Sequence, residues 1–308
     1  MKFAGNNLSA PLMLYWDLAG DVPSGSDFTG PDLIGRICGD IAASGIFVLN
    51  LTDLNAGICA STRTILGGLK DSAVQVVLTV RGDCPPAGPA MDLLAASRLK
   101  RLLLRVESLE GLKSLSENLP DYRRRAAIGL SFALNGDNLA DVPAVIEFCL
   151  GNEHLSTGVH ELPIARAAGA GKIFVPSPEV IKRLSADTSG LPAEKLNILV
   201  HDPFLWSVFA RGKSPNAEGC HAAQTMLYIR PDLEVTPCPI MPMGMGDLRR
   251  TDLRAIFSSA KKRQLREMLD ASPADCRGCR EVNACQGGCR GRALALLGSL
   301  DKKDPACY

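Results

Sequence analysis

Short, continuous apolar runs alternate with stretches whose apolar residues recur every three or four positions through the first 200 residues. Leu12–Trp16 is the first such run and predicts a buried strand. Pro31 opens a helix with Leu33, Ile34, Ile37, Cys38 and Ile41 on one face, ending at Gly45. Ile46–Leu51 is the next apolar strand. The alternation then predicts strands near 74–80, 101–107, 127–134 and 154–160, with helices near 60–70, 89–98, 109–118 and 139–150. Ser177-Pro178-Glu179 starts a further helix behind a capping serine, and Leu196–Val200 reads as one more strand. Strands that are apolar on both faces belong to a parallel sheet covered by helices. The class is therefore α/β: six well-defined strand–helix units and one or two weaker ones, closed or partly closed into a barrel. The polar, Pro- and Gly-bearing stretch Arg211–Gly219 divides the chain into 1–212 and 213–308.

Composition narrows the function classes. With 46 % apolar and 22 % charged residues and a net charge of +1 over 308 residues, nothing pulls the chain globally towards nucleic acid or a membrane. Residues 213–308 carry 15 Lys/Arg against 11 Asp/Glu, whereas residues 1–212 carry 19 against 22. That surplus is what an anionic cofactor in the tail would require, and a docking face for an acidic partner is the other reading. Met1–Ala10 lacks the basic-then-apolar pattern of a signal peptide, and no apolar run reaches membrane-spanning length. A cytoplasmic protein is expected, in a compartment that keeps cysteines reduced.

The cysteines then carry the chemistry. Seven of the eleven fall in the last 89 residues: Cys220, Cys238, Cys276, Cys279, Cys285, Cys289 and Cys307. Cys276 to Cys289 follow C-x2-C-x5-C-x3-C, a spacing that lets turns bring several thiolates to one centre, as a soft metal or an iron–sulfur cluster needs. Tetrahedral zinc suits the same ligands. The other four cysteines, Cys38, Cys59, Cys84 and Cys149, have no ligand spacing and read as small core hydrophobes. Gly169-Ala-Gly171-Lys172 fails as a phosphate loop, because Arg166 stands where the first glycine belongs and Ile173 where Ser/Thr belongs. Met241, Met243 and Met245 suit an apolar cover over a metal group. The four histidines show no mutual metal spacing, His221 being notable only for adjoining Cys220. The basic run Lys261-Lys262-Arg263…Arg266 reads as a solvated helix face.

The tail resembles the SPASM domain that follows the barrel in many radical-SAM enzymes. The residues carrying the resemblance are Cys220, Pro231-Asp232-Leu233-Glu234-Val235-Thr236-Pro237-Cys238, Gly246-Asp247-Leu248, the Leu253–Phe257 segment, Cys276…Cys289, Arg290-Gly-Arg-Ala293 and Asp304-Pro305-Ala306-Cys307. The family has glycine where this chain has Leu233, at a turn that favours left-handed backbone. The resemblance implies a partial (β/α)6 TIM-like barrel of radical-SAM type followed by a small SPASM domain. It also implies two [4Fe-4S] clusters. Cys276, Cys279, Cys285 and Cys307 would hold one. Cys220, Cys238 and Cys289 would hold the other, with a fourth place open or filled by His221, Asp232 or Glu234.

The rest of that family's machinery is missing from the sequence. Its enzymes carry C-x3-C-x2-C after the first strand, but Asp17–Phe28 contains no cysteine. Its Gly-Gly-Glu turn after the second strand is here Asn50-Leu-Thr-Asp53, and Thr79-Val-Arg-Gly82 resembles a relic of its Thr-Asn-Gly. The combination is similar to the SPASM-domain proteins of GeoRSP systems. It implies a non-catalytic partner of a radical-SAM/SPASM enzyme, with a modified peptide or a peptide chaperone as a further partner, acting in electron transfer or substrate binding and not binding S-adenosylmethionine. An enzyme that uses the barrel pocket for other chemistry, and a structural zinc protein, are the competing readings.

Overall fold

The computed structural model describes residues 11–18, 30–84, 86, 88–97, 99–124, 126–163, 173–209 and 220–307. The loop following Leu18 up to Phe28, the Gly169–Lys172 segment and the expected boundary at Arg211–Gly219 lie outside the described residues. Two compact units are present: 1–102 with 125–127 and 221–268, and 103–124 with 128–220 and 269–308. Each contains pieces from both sides of residue 213.

In the first unit, strands and helices alternate as β1 (Met13–Asp17), α1 (Pro31–Ala43), β2 (Val48–Asp53), α2 (Ala60–Leu69), β3 (Gln75–Arg81) and α3 (Pro89–Ala96). β1, β2 and β3 pair in parallel, with Leu14 opposite Leu49 and Leu49 opposite Val76. Helix α1 starts because Pro31 presets the backbone at a position needing no N–H bond, and Asp32 complements the dipole in its first turn. Its Ile34, Ile37, Cys38 and Ile41 are buried, the one face expected from their spacing, and α1 packs against α2. Each such Ile contributes roughly 1.5–3 kcal/mol on leaving water.

The second unit continues the alternation: β4 (Arg101–Val106, whose first two residues belong to the first unit), α4 (Leu109–Leu115), α5 (Leu119–Arg123), β5 (Ile128–Phe132), α6 (Val142–Gly151), β6 (Val159–Leu162), α7 (Pro178–Asp187), β7 (Asn197–Val200) and α8 (Pro203–Phe209). Here β5–β6 and β6–β7 are parallel. Three segments differ from the sequence reading. The strand expected near 154–160 begins only at Val159, because the Asn152 side chain accepts the His154 N–H at 2.9 Å and Leu155, Ser156 and Gly158 close turns first. The expected helix near 109–118 passes through a 3-10 turn at Ser116–Asn118 and resumes as α5, with Pro120 in its first turn. Helix α8, which the sequence reading did not include, begins at Pro203 behind Asp202, whose carboxylate accepts the Phe204 and Leu205 N–H groups at 2.8 and 2.9 Å.

After residue 220 the chain adds to both units. In the first, β8 (Met226–Ile229) pairs parallel to β1, with Leu227 opposite Leu14. The antiparallel strands β9 (Glu234–Thr236) and β10 (Gly246–Asp247) follow, so the strand order is β10-β9-β8-β1-β2-β3. Helix α9 (Leu253–Phe257) starts behind Asp252, which accepts the Ala255 N–H at 2.7 Å, and α10 (Ala260–Asp270) comes next. On α10, Lys262 and Arg266 are buried, contrary to a solvated face: the Lys262 ammonium lies 4.5 Å from the Phe257 ring centroid, and Arg266 donates to the Ala222 carbonyl at 2.9 Å. To the second unit the tail adds α11 (Val282–Cys285) and α12 (Arg290–Leu297).

The turn between β8 and β9 does adopt the left-handed conformation, and Leu233 takes it with φ +64°. Its N–H bonds to the Arg230 carbonyl at 2.9 Å, and its carbonyl accepts the Leu248 N–H at 3.1 Å. The Leu233 side chain is fully buried. Left-handed backbone costs a leucine about 1–2 kcal/mol, while removing a buried leucine side chain costs about 2–5 kcal/mol. Burial therefore outweighs strain. Leu233→Gly is expected to lower unfolding free energy by about 1–3 kcal/mol in a urea titration; a more stable glycine variant would show that backbone strain dominates this turn.

Candidate metal centre

Four of the tail cysteines line one cavity of about 180 Å³ in the second unit: Cys276, Cys279, Cys285 and Cys307. Each is delivered by a tight local turn. Cys276 ends the 3-10 turn Ala274–Cys276, and its carbonyl accepts the Cys279 N–H at 3.1 Å. Cys285 is the last residue of α11. Cys307 follows a turn closed by its own N–H on the Asp304 carbonyl at 2.8 Å. Phe204 of α8, Val282, Gly287 and Asp304 are among the other residues of the wall, and Cys279 is exposed.

The segment after Cys285 is built for close approach. Gln286, Gly287 and Gly288 are all left-handed, with φ of +52°, +88° and +67°. A Cβ on Gly287 would lie 2.6 Å from the Pro273 ring, and one on Gly288 would lie 2.7 Å from the Asp304 carboxylate. Glycine is thus required at both positions for space as well as conformation. Burial pushes the Cys285 thiol up, and the backbone N–H groups of Gly287 and Gly288 offset part of that rise; the Gly288 N–H bonds to the Cys285 carbonyl at 3.0 Å. Burial, then the neighbouring sulfurs of Cys307, Cys285 and Cys279, likewise raise Cys276. A cation among these sulfurs would reverse that, since thiolates are the ligating form.

The donor set fits a polynuclear iron–sulfur group. A lone tetrahedral zinc ion would draw four sulfurs to about 2.3 Å from one point, whereas four thiols lining a cavity of about 180 Å³ leave room among them for a polynuclear group.

The other three tail cysteines are half-buried. Cys238 follows β9 in the first unit, and its carbonyl accepts the Thr236 hydroxyl at 3.0 Å. Cys220 and Cys289 belong to the second unit. Cys289 is the N-cap of α12: its sulfur accepts the Arg292 N–H at 3.4 Å, and its own N–H bonds to Asp304 Oδ2 at 2.6 Å.

Sequence reasoning missed the buried charge network that holds this region. Arg292 is fully buried and donates through Nε and Nη2 to the two Asp304 oxygens at 2.7 and 2.8 Å, and through Nη1 to Asp202 Oδ2 at 2.5 Å. Its guanidinium carbon lies 6.0 Å from the Phe204 ring centroid. These carboxylates hold the Arg292 guanidinium more firmly protonated than usual, despite the opposing effect of its burial. Asp202-Pro203, a helix-cap pair immediately before an apolar helix, was the readable signal.

At the carboxyl ends of the first strands, Asp53 is fully buried. Oδ1 accepts the Asn55 backbone and side-chain N–H groups at 3.2 and 2.7 Å, and Oδ2 accepts the Cys59 N–H and Thr62 hydroxyl at 3.0 and 2.6 Å. These bonds fold the loop that launches α2, whose N-cap is Cys59. On the neighbouring strand, Asp17 Oδ2 accepts the Tyr228 hydroxyl at 2.8 Å.

Comparison with known proteins places these features. Residues 220–280 match the SPASM iron–sulfur cluster-binding domain. Two PqqA peptide cyclases are distantly similar. That of Granulibacter bethesdensis is 25 % identical over 186 residues, 58 % of this chain and 48 % of the relative. That of a Methylobacterium species is 23 % identical over 296 residues, 88 % of this chain and 76 % of the relative. The chain thus aligns with less than half the length of the first relative. Among solved structures, Streptococcus suis SuiB bound to S-adenosylmethionine superimposes with a TM-score of 0.74 at 14 % identity, covering 99 % of this chain and 79 % of that one. SuiB bound to its precursor peptide SuiA gives 0.72, also at 14 % identity, covering 97 % and 76 %. The anSMEcpe enzyme with bound AdoMet gives 0.68 at 11 % identity, covering 96 % and 94 %. The fold is therefore α/β, with a parallel sheet resembling the TIM-like barrel of SuiB and anSMEcpe, and the SPASM match lies in the C-terminal part of the chain. Among the described residues no helix is long and apolar enough to cross a membrane.

Burial pushes the thiols of Cys38 and Cys149, both outside the tail, up to about 12. In the folded protein at pH 8 both should resist alkylation while the half-buried Cys84 reacts, and both should react once denaturant is added, as read by peptide mass spectrometry. Modification of Cys38 or Cys149 at the rate of Cys84 before unfolding would contradict the burial described.

Proposed function

We propose that this protein is a non-catalytic iron–sulfur subunit of a radical-SAM/SPASM peptide-modification system, similar to the SPASM-domain proteins of GeoRSP systems. The observation that carries the reading is the cavity ringed by Cys276, Cys279, Cys285 and Cys307. In this reading residues 1–212 form the degenerate barrel portion and 213–308 the SPASM portion. The four cavity cysteines hold one [4Fe-4S] cluster, and Cys220, Cys238 and Cys289 hold a second with one place open. Such clusters pass single electrons, at potentials set by hydrogen bonds, charge and burial. The chain's own residues prepare for this: the Gly287 and Gly288 N–H groups oppose the rise that burial imposes on the Cys285 thiol, and Phe204 contributes an apolar ring to the cavity wall.

The non-catalytic part of the reading rests on the barrel. Asp17–Phe28 holds no cysteine to carry the cluster that cleaves S-adenosylmethionine. The one acidic residue at the second strand's end, Asp53, already accepts four protein donors, which leaves its oxygens no vacancy for a ligand's amino group. The setting follows from the relatives, which are peptide cyclases by name, and from SuiB, whose structure contains a precursor peptide. The partners are then a radical-SAM enzyme and its peptide or a peptide chaperone, in the cytoplasm.

The same relatives support a second reading, an enzyme in its own right that keeps a pocket at the strand ends. Protein purified without oxygen separates the readings. About eight irons and a matching amount of acid-labile sulfide per chain are expected from two four-iron clusters; zinc without sulfide would overturn the redox role. After chemical reduction, the same preparation should leave S-adenosylmethionine intact, and reductive cleavage by the isolated chain would establish the enzyme reading instead.

A further inference from the structure

The four cavity cysteines of the second unit differ in their access to solvent. Cys276 is buried, Cys285 and Cys307 are half-buried, and Cys279 is exposed. A tight turn carries Cys279: Arg277 (φ −62°, ψ 127°) and Gly278 (φ +80°) take its central positions, and the Cys279 N–H closes it on the Cys276 carbonyl at 3.1 Å. Arg277 therefore stands at the tip of the turn, and Arg280 directly follows the exposed cysteine. Both arginines are exposed, and among the described residues neither side chain has an ion pair or a hydrogen bond. Lys303 and Glu281 are also exposed and lie on the cavity wall. The other acidic residues of this edge are occupied: Asp275 pairs with Lys302 at 3.7 Å, and Asp301 accepts the Ala274 N–H at 2.7 Å. Arg277, Arg280 and Lys303 thus stand against Glu281 alone around the exposed sulfur.

We propose that this basic rim is the docking face for an acidic one-electron carrier protein, with Cys279 as the ligand through which the electron crosses. This rests on the iron–sulfur reading of the four-cysteine cavity and adds to it the kind of partner and the point of contact. The chemistry favours it. A guanidinium is weakly hydrated and makes forked bonds to carboxylates, so two unpaired ones beside each other suit an acidic surface. Among the described residues, none of the large apolar side chains that are exposed belongs to the cavity wall. A charged rim without an apolar anchor fits the small, brief interfaces of electron-transfer partners, in which complementary charge sets the association rate. The exposed sulfur is where least protein separates the cavity from a docked carrier. In the step itself one electron leaves the reduced iron group and the carrier's redox centre gains it, or the reverse. No bond forms or breaks.

The test uses the full chain purified without oxygen, as wild type, Arg277→Glu/Arg280→Glu and Arg277→Gln/Arg280→Gln. The control is Lys182→Glu/Arg183→Glu, which makes the glutamate pair's charge change on exposed residues of α7, a helix that contributes nothing to the cavity wall. Iron, acid-labile sulfide and reduction potential are measured first in each. Each protein is then reduced with dithionite, freed of the excess, and mixed with oxidised cytochrome b5, an acidic carrier, or oxidised cytochrome c, a basic one. Haem absorbance follows the single electron from the iron group to the ferric haem. Wild type should reduce cytochrome b5 about tenfold faster at about 0.02 M salt than at about 0.5 M. The glutamate pair should be about tenfold slower than wild type at the lower salt, match it at the higher, and favour cytochrome c. The glutamine pair should be about threefold slower, and the control should behave as wild type. A glutamate pair that keeps the wild-type rate at low salt overturns the proposal, as does a control that slows equally. Lost iron, or a shifted potential that accounts for the slower rate, overturns it too, because the arginines would then serve only to balance the charge of the iron group. Should the glutamate pair fail to fold, the glutamine pair decides in the same way. A wild type without iron and sulfide sinks the cluster reading and the docking face together, whereas a loaded wild type with indifferent rates sinks the docking face alone.

Discussion

A buried guanidinium between two buried carboxylates organises the second unit. Removing one partner from such a group leaves an uncompensated charge, which typically costs about 3–5 kcal/mol, so each member constrains the other two. Asp202 caps α8 and thereby fixes Phe204, Asp304 shapes the turn to Cys307, and Arg292 follows Cys289 by one helical turn. Three stretches far apart in sequence are made to agree on one arrangement by the requirement that a full positive charge out of water be surrounded. A hydrophobic cluster of the same volume would tolerate small shifts; this network does not.

The cavity is the geometric result. Four sulfurs on short turns surround a space, and the turns hold because two consecutive glycines occupy backbone that no other residue could fill without meeting Pro273 or Asp304. Glycine here shapes the cavity as much as cysteine does, because the chain can turn sharply after Cys285 only where no Cβ is present.

The strand–helix alternation of the first half was readable because strands buried on both faces have no polar residues to confuse the period. It held closely from β1 to β4. It failed where side chains compete with the backbone for hydrogen bonds: the Asn152 turn delayed β6, and Asp202 started α8, a helix missing from the sequence reading, just beyond the strand that ends at Val200. The left-handed turn at residue 233 was legible from a resemblance, but its occupancy by leucine was not. Burial decided that position, and burial depends on tertiary contacts that lie outside the local pattern. Cys276, Cys279 and Cys285 were legible from spacing, which would have grouped Cys289 with them, whereas Cys307 joined them only through the resemblance. The charge network was not legible, because Asp202 and Arg292 are 90 residues apart and neither belongs to a periodic motif. Lys262 and Arg266 show the same limit: a run of like charges suggests an exposed face, and only tertiary contacts reveal that two of its members are enclosed.

Asp53 has an evolutionary implication. In this chain its carboxylate is a joint: it gathers the donors of Asn55, Cys59 and Thr62 and thereby starts α2. Replacing residues 50–53 with a glycine-rich turn would remove that joint before any new ligand arrived to stabilise the loop. Any substitution path through such a turn would pass chains that fold less well than either end point, so the same four bonds that start a helix also limit which sequences this strand end can explore.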